Sequence, residues 1–439
     1  MQAALSPRVR FAAAAADVLT RPLLLWALAA VFAVRMAVLA VLAPDRPDTR
    51  VFLAAGRTLV HDPAHLYTWA ASWMARTGTI PPPGQGFIEP PAAAYLAAPF
   101  AMLAGAAASA LWTLADAAAA VVGLALLYRA LRPRGWARPL YWLIAAYFPP
   151  LFAEVDAGQI GGWLLLLGVV SILQAQRRPV LAGLAAATGA SVKFYPAGML
   201  AGAGPRLRYW LAVAVGTPAL LLLSFIPLGG GGPFFYVAKV LYPAALHSTY
   251  QDCAIDSVHT LFSRTVGGES YFLPGTAGLV RVTLPLHLPL LASVLTLATT
   301  LGLVAGCFWA ARRSGWHPLY GLCLGFGLGA LVPAEVNPYQ FLPLLPLVLL
   351  VAMRALEADR PRVVLALGAA LLGFVRQPCD LPFPNLWTLA GLAVYLICLW
   401  ENGVFRTEPA AEEGIDGAQR SSQLHVDRPR HLEGAQRPR

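Results

Sequence analysis

Apolar stretches of roughly 15 to 25 residues recur along this chain between residues 22 and 401 and constrain its fold more than any other feature. A helix needs about 20 apolar residues to cross a bilayer. The sequence therefore predicts an all-α polytopic membrane protein with about 10 to 12 membrane helices. The candidate spans are Pro22–Ala43, Ala107–Leu131, Pro139–Ala153, Ile160–Gln176, Tyr209–Leu228, Pro289–Ala311, His317–Pro333, Tyr339–Met353, Val363–Gln377 and Asn385–Glu401.

The composition agrees with a membrane protein and excludes other classes. Hydrophobic residues make up 58% of the chain and charged residues only 12%, whereas a soluble domain carries about a quarter charged residues. The net charge of +10 could suggest a nucleic-acid partner, but nearly all the basic residues are arginines at the ends of apolar stretches. We therefore expect the lipid bilayer as a partner and no nucleic acid.

The arginines predict one orientation in an inner (plasma) membrane. Short loops rich in arginine lie on the cytoplasmic side, which places both termini in the cytoplasm. Residues 1–21 then form a cytoplasmic N-terminus, residues 22–401 the membrane domain, and residues 402–439 a polar tail whose composition predicts disorder. The arginines that fit this orientation are Arg8/Arg10/Arg21, Arg132/Arg134/Arg138, Arg177/Arg178, Arg206/Arg208, Arg312/Arg313 and Arg354/Arg360/Arg362.

Two further apolar stretches, Pro91–Leu103 and Val180–Ala203, would break this pattern if they crossed the membrane. The second is interrupted by Lys193-Phe194-Tyr195-Pro196. We interpret both as interfacial or re-entrant helices that line a cavity, because broken backbone at membrane depth needs protein or water around it. The alternative is two more ordinary spans with one loop of unusual charge.

Candidate chemistry lies on the predicted outer face, which has two long segments, residues 44–90 and 229–288. The first is rich in carboxylates and contains a tryptophan pair spaced for one face of an interfacial helix. The second carries basic and hydrogen-bonding side chains of the kind that hold a phosphate. The candidates in the first segment are Asp48, Arg50, Glu89, Trp69 and Trp73, and those in the second include His259 and Arg264.

Asp48 has two interpretations. A short polar residue just before a helical run, here Val51–Leu59, commonly caps the helix by accepting bonds from its first N–H groups. A carboxylate held just above the bilayer is also placed to act as a base, and the flanking Arg46 and Arg50 would keep it ionised. The residues of the loop alone do not decide between these roles.

Lys193 lies in a broken helix between apolar stretches, where an ionisable residue is a functional candidate by default. The alternative is a lysine that extends to the membrane interface. Two polar turns at predicted outer helix ends could line the same cavity. These turns contain Glu154/Asp156/Gln159 and Glu335/Asn337/Gln340.

Six sequence segments occur in a characteristic order and spacing. They are Asp48-Thr-Arg-Val-Phe-Leu-Ala-Ala-Gly-Arg-Thr-Leu, Leu66-Tyr67, Phe87-Ile-Glu-Pro-Pro-Ala-Ala-Ala-Tyr-Leu-Ala-Ala-Pro99, Gly158-Gln159-Ile160, Lys193-Phe-Tyr-Pro196, and Ser257 with Arg264. Together they resemble glycosyltransferase family 87, the bacterial polyprenyl-phosphomannose-dependent α-mannosyltransferases of the integral-membrane GT-C superfamily. The resemblance covers roughly residues 20 to 400 and depends on the order and spacing of the segments.

The resemblance implies a GT-C type helical bundle with an outer-face active-site cavity and a mannosyl transfer on the outer leaflet. By position, Asp48 corresponds to the aspartate that is the catalytic base in such enzymes. The chain departs from the family pattern at Glu89, where an aromatic residue is usual, and at Ile255-Asp256, where Asn-Gln is usual. These departures bear on the acceptor and on the donor sugar.

A single inverting displacement agrees with both the residues and the resemblance. Asp48 would deprotonate an acceptor hydroxyl while polyprenyl phosphate leaves the anomeric carbon, giving an α-mannoside. We expect Lys193, His259 and Arg264 to bind the donor phosphate, and Arg50, Glu89, Gln159, Tyr195 and Gln340 to line the cavity. The expected partners are a polyprenyl-phospho-sugar donor and a membrane-anchored glycolipid or lipoglycan acceptor, with no cofactor and no metal.

Two rival interpretations remain open at this point. A transporter or flippase would use the same broken helices and Lys193, although such proteins often show internal repeats and none is evident here. A GT-C enzyme could also use another polyprenyl-phospho-sugar, such as an arabinofuranosyl or glucosyl donor.

Overall fold

A computed structural model describes residues 46–77, 86–243, 256–275, 278–333, 336–375 and 385–401, with isolated positions between 23 and 38. The helices are α1 (Pro47–His61), α2 (Thr68–Thr77), α3 (Pro91–Ala101), α4 (Gly105–Leu131), α5 (Ala137–Ala146), α6 (Pro149–Ala157), α7 (Gly161–Gln174), α8 (Pro179–Val192), α9 (Leu207–Ser224), α10 (Gly232–Tyr236), α11 (Val258–Thr265), α12 (Pro289–Arg313), α13 (Pro318–Gly329), α14 (Leu344–Glu357), α15 (Pro361–Leu371) and α16 (Leu386–Trp400). Longer 3-10 segments are Tyr195–Gly202 and Pro338–Phe341, with short ones at Pro63–His65, Ile226–Leu228 and Leu372–Phe374, and a π-helical turn covers Val237–Leu241.

The described part of the chain is an all-α bundle with one small hairpin, in which β1 (Tyr271–Gly275) pairs antiparallel with β2 (Gly278–Val282). Four of its helical stretches are long and apolar enough to cross a membrane, namely Gly105–Leu131, Leu207–Ser224, Pro289–Arg313 and Pro338–Glu357. Six shorter apolar helices accompany them. The predicted fold class, an all-α polytopic membrane protein, is confirmed. The predicted first span Pro22–Ala43 and the tail 402–439 lie outside the described ranges, apart from isolated positions in the former.

One predicted span is divided in the structure. Pro139–Ala153 appears as α5 and α6, which are separated near Tyr147. Pro149 starts the second helix, and Phe148 before it is extended with ψ 107°. Proline lacks the N–H that would continue a helix and disfavours helical backbone in the residue before it. The break therefore follows directly from Pro149-Pro150.

The arginine-rich loops meet at one end of the bundle. Helices α4 and α7 run in parallel, because Gly162 at the start of α7 packs against Asp116 in the middle of α4, and Leu166 packs against Gly123 further along both helices. Both helices then end beside arginines, Arg132 and Arg177 respectively. We refer to this end, where Arg206 and Arg312 also lie, as the arginine end.

The predicted re-entrant stretch Val180–Ala203 is a broken helix. Helix α8 starts at the arginine end and stops at Val192, and Lys193 is extended with φ −153° and ψ 127°. The 3-10 segment Tyr195–Gly202 follows. Helix α8 has 14 residues, so it rises about 21 Å, which is less than the roughly 30 Å hydrocarbon core of a bilayer.

The 3-10 segment brings the chain back to the end from which it came. Gly202 lies so close to Gly321, near the start of α13, that a Cβ atom on Gly202 would overlap the Gly321 carbonyl. Further on, the Arg206 guanidinium donates to the Trp316 carbonyl oxygen at 3.0 Å. Both ends of the stretch thus lie at the arginine end and Lys193 is its tip, as the arginine pattern predicted.

The other predicted re-entrant stretch forms α3, which has 11 residues. A helix of that length rises about 16 Å and is too short to cross a bilayer. It packs along α1, where a Cβ atom on Gly56 would come within 2.9 Å of the Ala98 nitrogen. Helix α3 therefore supports α1, the helix that carries Asp48.

Candidate active site

Asp48 is the second residue of α1 and is buried, with 8% of its surface exposed. The N-cap position belongs to Arg46, and no side chain caps this helix. The interpretation of Asp48 as an N-cap is therefore wrong. Instead, its Oδ2 accepts a hydrogen bond of 2.7 Å from the side-chain Nε2 of Gln159. Gln159 lies in the turn between α6 and α7.

The Gln159 amide connects Asp48 to a lysine. Its Oε1 accepts a hydrogen bond of 3.2 Å from Lys193 Nζ, while its Nε2 also donates to the Tyr339 hydroxyl at 3.1 Å. A lysine ammonium can only donate and an ionised carboxylate can only accept. These two neighbours therefore fix which way the amide points, with oxygen toward Lys193 and nitrogen toward Asp48.

Lys193 also faces a second carboxylate. Its Nζ lies 3.7 Å from Glu89 Oε1, with 13% of the Lys193 side chain and 16% of the Glu89 side chain exposed. The same Nζ lies 5.2 Å from the centre of the Tyr339 ring, within the range of a cation–π contact. The structure thus brings together Asp48, Glu89, Gln159 and Lys193, which the sequence predicted to share a site, and adds Tyr339. We call these five residues the polar cluster.

A glycine turn determines the position of Gln159. Gly158 ends α6 in the left-handed conformation, with φ +72°. Its carbonyl oxygen accepts hydrogen bonds from Thr49 Oγ1 at 3.2 Å and from Trp112 Nε1 at 3.0 Å. A Cβ atom at Gly158 would come within 1.9 Å of Thr49 Oγ1. The turn that carries Gln159 is therefore held against α1 next to Asp48.

Two buried carboxylates hold the start of α7. Glu154 accepts a hydrogen bond from the Gly161 N–H, and Asp116 accepts from Gly162 at 3.2 Å and Trp163 at 3.0 Å. The first N–H groups of a helix have no partner within the helix, and the helix dipole favours negative charge there. These contacts therefore stabilise the end of α7 that follows Gln159. Sequence reasoning missed Asp116, although a single acid inside an apolar span of 27 residues was a usable signal.

Three other predicted cavity residues have different surroundings. Arg50 is exposed on α1 and lines a separate pocket. Tyr195 is buried beside Lys193, with its ring centre 6.3 Å from that of Phe326. Gln340 Oε1 accepts from the Asn337 N–H at 2.6 Å, so this side chain caps the 3-10 segment. Sequence reasoning chose Gln340, but its neighbour Tyr339 is the residue that reaches the polar cluster.

Arg264, predicted to bind the donor phosphate, is 2% exposed on α11. Its Nη1 donates to Asn385 Oδ1 at 3.2 Å, and its guanidinium carbon lies 5.4 Å from the centre of the Tyr271 ring. The role of Arg264 toward phosphate stays a prediction.

Asp256 lies beside this arginine and is fully buried. Burial raises the pKa of Asp256 to about 8, and the nearby Arg264 only partly opposes that rise. The Asp256 N–H donates to the Val336 carbonyl oxygen at 2.7 Å, three residues before Tyr339. His259 is half-buried on α11, and its predicted phosphate contact also stays a prediction.

Glu335 and residues 244–255 of the second outer segment lie outside the described ranges. Within the ranges that are described, no group of three or more His, Cys, Asp or Glu side chains is arranged to hold a metal ion.

The fold and the polar cluster define a polytopic helical membrane protein with a buried site of carboxylates and a lysine, away from the arginine end. A sequence model described as glycosyltransferase family 87 matches residues 87–333, more than half of the chain. The chain belongs to that family, and it is a membrane glycosyltransferase. No curated protein and no solved structure matches it.

The matched segment contains most of the polar cluster but not all of it. Glu89, Gln159 and Lys193 lie within residues 87–333, whereas Asp48 precedes them and Tyr339 follows. The place of Asp48 in the site therefore depends on its hydrogen bond to Gln159.

Proposed function

We propose that the protein transfers mannose from polyprenyl-phosphate-mannose to a lipid-anchored glycan acceptor by an inverting mechanism, giving an α-mannoside. The observation that carries this proposal is the chain of contacts from Asp48 through the Gln159 amide to Lys193. It places a carboxylate and a cation on opposite sides of one rigid amide. An inverting displacement uses a base and a leaving-group cation at separate positions, because the attacking hydroxyl and the leaving phosphate occupy opposite faces of the sugar.

Asp48 is the proposed general base. It accepts the proton of an acceptor hydroxyl, the hydroxyl oxygen forms a bond to the anomeric carbon, and the bond from that carbon to the phosphate oxygen breaks. The electron pair of the broken bond leaves with polyprenyl phosphate. A positioned general base contributes about 10²–10⁴-fold to the rate. The hydrogen bond from Gln159 holds the carboxylate in one orientation, which supports this role.

Lys193 is the proposed partner of the departing phosphate. An ammonium near the leaving oxygen stabilises the charge that develops in the transition state. Lys193 has an extended backbone and lies between the end of α8 and the 3-10 segment, so it belongs to neither helix. Glu89 would neutralise the lysine before the donor binds, because the two groups lie 3.7 Å apart. In this mechanism a protein side chain supplies the positive charge that stabilises the phosphate, so no metal ion is needed. His259 and Arg264 remain further candidates for binding the phosphate.

An apolar groove beside Lys193 supports a lipid-linked donor. It has a volume of about 400 Å³, and its lining includes Phe194, Val304, Leu328 and Val332. An isoprenoid chain attached to a phosphate at Lys193 could enter this groove from the side. Since arginine-rich loops face the cytoplasm, the polar cluster would face outward from the inner membrane.

Membership of a glycosyltransferase family favours the enzyme over the transporter interpretation. The alternative is an enzyme of the same family that uses another polyprenyl-phospho-sugar as donor. A comparison of polyprenyl-phosphate-linked mannose, glucose and arabinofuranose as donors would identify the sugar, because only the true donor should be consumed efficiently.

The central experiment measures sugar transfer in membranes that contain the wild type or Asp48→Asn at matched expression. We expect transfer to fall by about 10²–10⁴-fold, the contribution of a general base. The control is Asp359→Asn, an exposed aspartate near the arginine end whose φ of +53° asparagine tolerates well. Transfer that persists in Asp48→Asn would refute the role of Asp48. Lipid flipping without transfer by the wild type would instead support a transporter.

A further inference from the structure

A second pocket lies between α1 and α2 and shares no lining residue with the polar cluster. Its volume is about 300 Å³, and its lining includes Arg50, Thr58, His65, Trp69 and Phe87. The lining mixes an aromatic ring with charged and hydrogen-bonding groups. It therefore differs from the apolar groove beside Lys193, and the polar cluster does not account for it.

The position of the pocket connects it to the proposed reaction. Arg50 follows Asp48 by two residues on the same helix, and Phe87 precedes Glu89 by two. Both chain segments that close this end of the pocket therefore continue into the polar cluster. From Arg50 to Thr58 the pocket follows about 12 Å of helix at the usual rise per residue. It is an elongated site whose first lining residue on α1 follows the proposed base by two positions.

The lining has the chemistry of a carbohydrate site. Trp69 is 43% exposed, and its ring stacks on Trp73 with centres 5.5 Å apart, which holds it in place. His65 Nδ1 lies 2.8 Å from Asp62 Oδ1, a contact at the solvent-exposed surface. A sugar ring has an apolar C–H face that packs on an aromatic ring and a rim of hydroxyls that needs donors and acceptors. Trp69 supplies the first, and Arg50 and His65 supply the second.

We propose that this pocket binds the glycan of the acceptor and presents its reacting hydroxyl to Asp48. The inference rests on the proposed function, in which Asp48 is the base and Lys193 holds the donor phosphate. Gln159 separates these two groups, with Asp48 on its nitrogen side and Lys193 on its oxygen side. The pocket lies along the helix that carries Asp48, the residue that would activate the acceptor. It would determine which glycan end is extended.

The test is Trp69→Ala in the full-length protein, with transfer measured from a short-chain prenyl-phosphomannose donor to a series of mannosides of increasing length. We expect the KM for the acceptor to rise by on the order of tenfold, as for loss of a central tryptophan in a binding site. The kcat at saturating acceptor and the KM for the donor should stay unchanged. The control is Trp136→Ala, a tryptophan with a similar exposure of 44% near the arginine end.

A second variant protects the test from a folding defect. Ala54→Trp adds bulk to an exposed helical residue that also lines the pocket. It should raise the acceptor KM as Trp69→Ala does, although Ala54→Trp reduces the volume of the pocket and Trp69→Ala increases it. An unchanged acceptor KM in both variants would overturn the inference while leaving the proposed function intact.

Direct binding separates this inference from the proposed function. Mannoside binding is measured by saturation-transfer NMR on the purified protein without donor. Binding that Trp69→Ala abolishes would support the pocket even if no mannosyl transfer were found. Trp69 could instead anchor the protein to lipid. Unchanged mannoside binding, with loss of thermal stability only in lipid vesicles, would establish that role and refute the glycan site.

Discussion

Gln159→Glu tests the central contact of the site with almost no change in side-chain shape. In the wild type, Gln159 Nε2 donates to Asp48 Oδ2 at 2.7 Å. A carboxylate at the same position cannot donate unless it is protonated. Residues 48 and 159 would then share one proton between them, as two adjacent carboxylates do, and they would titrate as a pair. Because a base must be deprotonated, the pair would become active only at higher pH.

The size of the effect follows from the distances. Two unit charges about 4 Å apart repel by about 4 kcal/mol at an effective dielectric constant near 20. Since one pH unit corresponds to about 1.4 kcal/mol, that repulsion alone would shift the acid limb of the rate profile by about 3 pH units. Lys193 lies 3.2 Å from the same amide and opposes the shift. We expect a net shift of about 1–2 units toward higher pH.

The assay is the pH dependence of kcat/KM for sugar transfer, compared between the wild type, Gln159→Glu and Gln340→Glu. Gln340 is a matched control, because its Oε1 accepts the Asn337 N–H at 2.6 Å and a glutamate caps a helix equally well. Gln340→Glu should keep the wild-type profile. If Gln159→Glu also kept the wild-type profile and rate, Asp48 would not be the group that titrates, and the mechanism derived from this contact would be wrong.

Two more predictions concern stability. Gly158→Ala places a Cβ atom on a left-handed backbone and against Thr49, so we expect the free energy of unfolding to fall by about 1–3 kcal/mol. The measurements are the unfolding temperature in detergent and the rate of transfer, both of which should decrease. Unchanged stability would contradict the role of the turn. Burial raises the pKa of Asp256 to about 8 in the folded protein, whereas an unfolded aspartate has a pKa near 4. As the pH rises, the unfolded chain therefore loses this proton first. The free energy of unfolding should fall between about pH 4 and 8. Asp256→Asn should remove that part of the pH dependence, and an identical slope in the variant would show that Arg264 keeps the aspartate ionised.

The topology of the helical core could be predicted because two strong physical signals agree. The length of the apolar stretches predicts which segments are helical, and the arginines predict which of their ends lie together. The return of the chain at Lys193 followed from that charge pattern and not from any local turn signal. The division at Pro149 was missed because a hydropathy pattern does not register a proline that ends one helix and starts the next.

The site was predicted in part. Asp48, Glu89, Gln159 and Lys193 were all chosen from the sequence, and the structure brings them together. The prediction that they share a site came from the predicted membrane topology, which places all four residues at the same face of the membrane. Which of two neighbouring side chains faces inward depends on packing, so sequence reasoning selected Gln340 where Tyr339 makes the contact.

The contacts that position Asp48 could not be predicted from sequence spacing, because they join residues more than 100 positions apart in the chain. The hydrogen bond from Gln159 and the one from Thr49 to the Gly158 carbonyl tie the first turn of α1 to a single turn of backbone. Asp116 holds the helix that follows that turn from within α4. The positions of Asp48, Gln159 and Asp116 thus depend on one another. Any variant that moves α7 should therefore reduce transfer without touching a residue that contacts the substrates.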